Sequence, residues 1–169
     1  PPTTKGYPPS VFSLLPRILE RCGPQSKGQG SISGLYTVLV DGDDFNDPIP
    51  DTARSLLDGH INLSRSLAEV GHYPAIDIRS SISRVMNDII TKQHLQIASE
   101  IKALIGLYKE NEDYINIGSY QHGSNPTLDK AIYLMPKIET FLKQHSSSLV
   151  TFEETLNQMS QIFVENNNQ

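Results

Sequence analysis

The sequence predicts an α/β domain followed by an all-α domain. Two observations carry this expectation. Residues 1–87 hold most of the glycines and prolines, and short β-type runs alternate there with helical patterns. That alternation builds layered α/β structures. Residues 88–169 instead place apolar residues at helical spacing, stretch after stretch.

In the first region, PPSVFSLLPRILERCG predicts a helix with Val11, Leu14, Leu15, Ile18 and Leu19 on one face, ended by Gly23-Pro24. QSKGQGS reads as a flexible loop. SISGLYTVLVDG is the strongest strand pattern. Leu35, Tyr36, Val38, Leu39 and Val40 make a nearly continuous apolar run, suited to a strand buried on both faces of a mostly parallel sheet. Asp47-Pro48 supplies a cap and a first-turn proline for a helix through Leu57. DGHINLS predicts a turn and a short strand, and RSLAEVG a helix closed by Gly71. AIDIRSSISRVM alternates apolar and small polar residues, the pattern of a partly buried extended segment with its turn.

In the second region, Ile97, Ile101, Leu104, Ile105 and Tyr108 share one helical face. Asn125-Pro126 opens another helix, with Leu128, Ile132, Met135, Ile138 and Leu142 inward and a kink expected at Pro136. Thr151 and Glu154 form a capping box for a last helix carrying Phe152, Leu156, Met159 and Phe163. The polar end ENNNQ is expected to fray.

Composition narrows the function classes. Hydrophobic residues make up 37%, a globular proportion. No apolar run approaches the roughly 20 residues of a membrane span. The net charge is −5, and the 14 Lys and Arg are scattered, which argues against a nucleic-acid face. Cys22 is the only cysteine, so a disulfide within the chain is excluded, in keeping with a reducing cytoplasm. PPTTKGYPPS has no signal-peptide pattern and no initiator Met, which suggests a piece of a longer protein.

The residues alone offer little chemistry. VDGDDFNDPIPD is acidic, yet counted from Asp41, Phe45 and Asn46 occupy the fifth and sixth places, where a calcium loop needs a ligand and a glycine. It reads as a solvated turn with a helix cap, or as an interaction loop tipped by Phe45. Tyr73 precedes Pro74, which favours extended backbone, and such a tyrosine can stack on a flat heterocycle or simply pack at an edge. His60, His72, His94, His122 and His145 show no metal-ligand spacing. There is no GxSxG elbow and no GxxxxGK[ST] phosphate loop. On composition, Arg79 and Arg84 are surface or ion-pair arginines.

Three stretches carry more. TKGYPPSVFSLLPRILERCG, the block from Gly30 to Met86, and NIGSYQHGSNPTLDKAI resemble the ATPases of the bacterial flagellar type III export apparatus. Their wider relatives are the injectisome ATPases and the catalytic β subunit of rotary ATP synthases. The resemblance spans essentially the whole chain, and GSYQHGSNPTLDKAI favours the flagellar branch. It implies the C-terminal part of a RecA-like P-loop NTPase domain in residues 1–87 and an all-α helical C-terminal domain in residues 88–169. The family's phosphate loop and catalytic glutamate have no counterpart in this sequence, so the chain by itself is expected to be inactive.

The resemblance also implies roles. Arg84 in SISRVM matches the arginine finger that reaches the nucleotide on a neighbouring subunit of a homohexameric ring. A guanidinium stays charged and can contact phosphoryl oxygens with two donors. Such fingers are worth about 10³–10⁵ in rate, or roughly 4–7 kcal/mol. Tyr73 matches the tyrosine that stacks on adenine. Asp43, Asp44, Phe45, Asn46 and Asp47 match the loop facing the central channel, where a coiled-coil stalk docks, and residues 115–130 match a helical turn that contacts the stalk. The acidic DELSEED segment of the synthase β subunit is replaced there by GSYQHGSNPTLDK, which disfavours a rotary synthase subunit. The expected cofactors are ATP and Mg²⁺, the metal bound mainly by residues outside this chain. Further expected partners are a regulator of the export apparatus, export substrates and their chaperones, with peripheral association at the membrane export gate from the cytoplasm. The competing reading is a non-catalytic interaction module.

Overall fold

The computed structural model describes residues 7–26, 28–40, 42 and 47–164. The chain forms two compact units, residues 1–60 and 61–169.

In the first unit, α1 (Pro9–Leu19) starts on Pro9 and runs through Pro16, with Leu19 buried. Leu14 and Ile18 of the predicted apolar face are exposed. Beyond it, β1 (Gly23–Pro24) pairs antiparallel with β2 (Ser31–Ile32). The Tyr36 hydroxyl meets Cys22 Sγ at 3.0 Å and donates to the Ile18 carbonyl at 3.3 Å, tying this segment to the end of α1. Gly34 makes that approach possible: a Cβ there would lie 2.5 Å from Cys22 Sγ. α2 (Pro48–Leu56) is capped by the Asp47 carboxylate, which accepts from the Ile49 N–H at 3.0 Å. It ends one residue before the predicted Leu57.

The expected buried strand over Leu35–Val40 does not form. Those residues are non-regular, Leu35 is 95% and Leu39 92% exposed, and no described residue pairs with them. A strand has no internal hydrogen bonds, so an apolar run becomes one only where neighbouring strands offer a ladder. Nor do the described residues form a parallel sheet: they hold two two-stranded sheets, β1–β2 and β3–β4.

The division between the units falls inside β3 (Gly59–Leu63). Ser64 then caps α3 (Arg65–Glu69) by accepting from the Leu67 N–H. Gly71 follows at φ 70°, a left-handed turn that suits glycine. β4 (Ile76–Ser83) confirms the extended reading of this stretch. A short α4 (Met86–Ile89) leads into α5 (Lys92–Asn116), then α6 (Pro126–Leu142) and α7 (Phe152–Gln161).

These helices enclose one contiguous core. Ile101, Leu104 and Ile105 from α5 meet Leu128, Ala131, Leu134, Met135 and Ile138 from α6, with Met159 and Ile162 from the α7 end. Helical spacing foretold most of it. Ala131, Leu134 and Ile162 were missed, and Ile132 and Leu142 are only partly buried. α6 continues through Pro136 to Leu142. The capping box of Thr151 and Glu154 is present. Its hydrogen bonds from Thr151 hold the Glu154 carboxyl below its ordinary pKa. Phe152, at the start of α7, is exposed, with its ring centroid 5.9 Å from that of His94. Residues 165–169, expected to fray, lie outside the described residues.

Candidate functional site

Tyr73 and Arg84 stand at the two ends of β4. Tyr73 lies three residues before the strand and Arg84 directly after it. An eight-residue strand spans roughly 25 Å.

At the first end, the His72 N–H donates to the Leu67 carbonyl at 2.9 Å, closing the turn after α3. His72 is buried, whereas Tyr73 next to it is 57% exposed. The Tyr73–Pro74 bond is cis. Gly71, Tyr73 and Pro74 form one wall of a cleft of about 790 Å³, and Lys143, His145, Ser146 and Ser148 help form the other. The Gln144 N–H joins the walls by donating to the Tyr73 carbonyl at 2.9 Å. The second wall is a built turn. Gln144 Nε2 donates to the Ser148 carbonyl at 2.8 Å, and His145 Nδ1 accepts from the Ser147 N–H at 3.3 Å. An exposed aromatic ring with a lysine across the cleft is chemistry that suits a flat, anionic ligand such as a nucleotide.

At the second end, β4 is held from both directions. Ile78 packs against the helical core, and Lys102 Nζ of α5 donates to the Ser81 carbonyl at 3.1 Å. On the other side, the Asn62 N–H of β3 donates to Ser81 Oγ at 3.0 Å. Within the strand, Asp77 accepts from Ser80 Oγ at 2.7 Å and from the Arg79 N–H at 2.9 Å. Burial raises the Asp77 pKa, but these hydrogen bonds and the Arg79 charge outweigh it, and the net shift is downward. Arg84 leaves this mount on an exposed position.

The remaining sequence-derived residues are elsewhere. Asp43, Asp44, Phe45 and Asn46 lie outside the described residues. Asp47 is described and buried, its carboxylate turned inward as the cap of α2. The turn between α5 and α6 is ordered by Asp129, which accepts from the Tyr120 hydroxyl and the Gly123 N–H, both at 2.9 Å. His122 projects from that turn, its Nε2 3.8 Å from Asp129. Sequence reasoning missed the 143–148 wall, because its polar residues carry no periodic signal. Among the described residues, no group of His, Cys, Asp and Glu could hold a metal ion, and no helix is long and apolar enough to cross a membrane.

Residues 1–83 match the ATP synthase alpha/beta family, nucleotide-binding domain, and residues 90–161 match the T3SS EscN ATPase C-terminal domain. The flagellum-specific ATP synthase of Salmonella typhimurium is 52% identical over 163 residues, which is 96% of this chain and 36% of that protein. This chain therefore spans about a third of the length of that relative. The assembled ATPase EscN from the enteropathogenic E. coli type III secretion system superposes with a TM-score of 0.91 at 48% identity, covering 96% of this chain and 39% of EscN. EscN in complex with its central stalk EscO gives 0.85 at 46% identity, covering 96% and 38%. Residues 1–83 thus belong to the ATP synthase alpha/beta family and residues 90–161 to the T3SS ATPase C-terminal domain family, a RecA-like α/β part followed by a helical C-terminal domain, in an arrangement similar to that of the flagellum-specific and type III secretion relatives.

Proposed function

We propose that this chain is the C-terminal portion of a hexameric ATPase that hydrolyses ATP to energise flagellar type III protein export. The observation that carries the reading is the match of both parts, in order, to the flagellum-specific relative and to the assembled EscN. Tyr73 stacks on the adenine of the subunit's own nucleotide. Arg84 reaches the phosphates on the next subunit. The placement of the two residues at opposite ends of β4 supports this division. A rigid strand mount favours a finger that must arrive already oriented, because a guanidinium placed in advance stabilises the transferring phosphoryl without reorganising.

The chain's own residues supply base binding and charge stabilisation in trans. ATP and Mg²⁺ are the expected substrate and metal, the Mg²⁺ held by residues in the part of the relatives' length this chain does not span. The loop from Asp43 to Asp47, in which Asp47 is the buried cap of α2, and the ordered 115–130 turn face a coiled-coil stalk, as the EscN–EscO complex suggests by analogy. A regulator, chaperones and export substrates complete the partner set, and the assembly sits in the cytoplasm against the membrane export gate. Our reading keeps the domain division at 87/88, and the gap between the two family matches supports it.

The test is a chimera in which this chain replaces the matching part of the Salmonella flagellum-specific ATP synthase. It should hydrolyse ATP and restore motility to a strain lacking that protein. Arg84→Ala should leave nucleotide binding nearly intact and cut turnover by about 10³ or more. Tyr73→Ala should weaken nucleotide binding by about tenfold, the worth of a lost stacking contact. A folded chimera without turnover, or an Arg84→Ala rate equal to the parent at saturating ATP, would overturn the proposal.

A further inference from the structure

We infer that His72 is the positioning residue of the nucleobase cleft: its buried side chain sets the backbone at Tyr73 against the turn that follows α6. The inference rests on the proposed role of Tyr73 in holding the base.

Three features of the geometry carry it. His72 and Tyr73 are neighbours, yet one is buried at 8% exposure and the other 57% exposed, so the inward residue anchors the outward one. The segment is held on both sides: the His72 N–H donates to the Leu67 carbonyl of α3, and the Tyr73 carbonyl accepts from the Gln144 N–H. The turn supplying Gln144 is stiffened by its own hydrogen bonds. A shift at His72 therefore cannot be absorbed by the cleft wall and passes to the Tyr73 ring.

The charge of His72 gives this joint a pH dependence. Burial, and then the Lys143 ammonium, hold its pKa below the ordinary histidine value, while Glu139 acts weakly in the opposite direction. Those two groups, both from the end of α6, are the charges that act on the ring. From α3 the contact is the uncharged Leu67 carbonyl. The lowered pKa favours the neutral ring at pH 7. Because the folded pKa lies below the unfolded one, the joint is fully stable above about pH 6.5. It weakens as the pH falls through the folded pKa. Protonation puts a cation beside Lys143 in a buried place and loosens the contact that aims Tyr73.

The experiment measures KM and kcat for ATP hydrolysis by the chimera between about pH 7.5 and pH 5.5, in the parent, His72→Gln, His72→Ala and Tyr73→Ala. In the parent, KM should rise about fivefold on the acid side, with kcat changing less. His72→Gln cannot charge, so it should keep the low KM and lose most of that rise. His72→Ala should raise KM at every pH with kcat nearly unchanged. A purely structural role would move kcat and KM together and leave the acid-side rise in His72→Gln. An unchanged His72→Gln profile overturns the inference, and that profile decides the matter if His72→Ala does not fold. Tyr73→Ala separates the two readings. Normal ATP affinity in that variant defeats the Tyr73 assignment and this inference with it. Weakened affinity beside an unchanged His72→Gln profile defeats this inference alone.

Discussion

The two halves of the chain respond differently to the same kind of sequence signal. In residues 61–164, apolar residues at helical spacing fold into α5, α6 and α7 around a closed core, with Ile138 and Ala131 fully buried. Among the described residues of 7–60, the densest apolar run of the chain lies open, and Leu19, Pro50 and Ala53 are the buried apolar side chains of the helices. The difference is one of hydrogen-bond bookkeeping. A helix satisfies its own backbone and needs only one partner face. A strand buried on both faces needs neighbours on both edges and layers on both sides.

That contrast can be broken or sharpened by substitution. The largest expected effect is in the helical core. Ile138→Ala leaves a cavity where α6 faces α5, and should cost about 3 kcal/mol in urea unfolding, within the usual range for such truncations. A cost below about 1 kcal/mol would mean that the core is less closely packed than described. The smallest effect should be at Leu39, 92% exposed. Leu39→Ser in this chain should change stability by less than about 0.5 kcal/mol and reduce self-association, as removal of an exposed apolar side chain does. A destabilisation above about 1 kcal/mol would show that Leu39 is covered after all.

How much was legible in the sequence follows the same line. The caps at Asp47, Thr91, Ser64, Asn125 and Thr151 are all made in the structure, and of these Asp47, Asn125 and Thr151 were readable from local residue order. The core of α5 and α6 was readable from the 3.6-residue period. Leu35–Val40 was misread because its composition describes an environment the described residues do not provide. The candidate site was readable only in part. Tyr73 and Arg84 came from resemblance, since nothing in the spacing marks them. The strand that separates them could be seen in the alternation of IDIRSSIS. The 143–148 wall and the buried His72 became visible only once the chain end of α6 was brought beside the Tyr73 turn by folding.

The central claim is that Arg84 acts on a nucleotide held by another subunit. It is tested most directly by mixing two inactive chimeras: one carrying Arg84→Ala, the other with its phosphate-loop lysine replaced in the Salmonella portion. Neither should turn over ATP alone. The mixture should, because the second protein still presents Arg84 to the intact nucleotide site of the first. A mixture that forms hybrid rings yet stays inactive, or an Arg84→Ala chimera that is active by itself, would contradict the account.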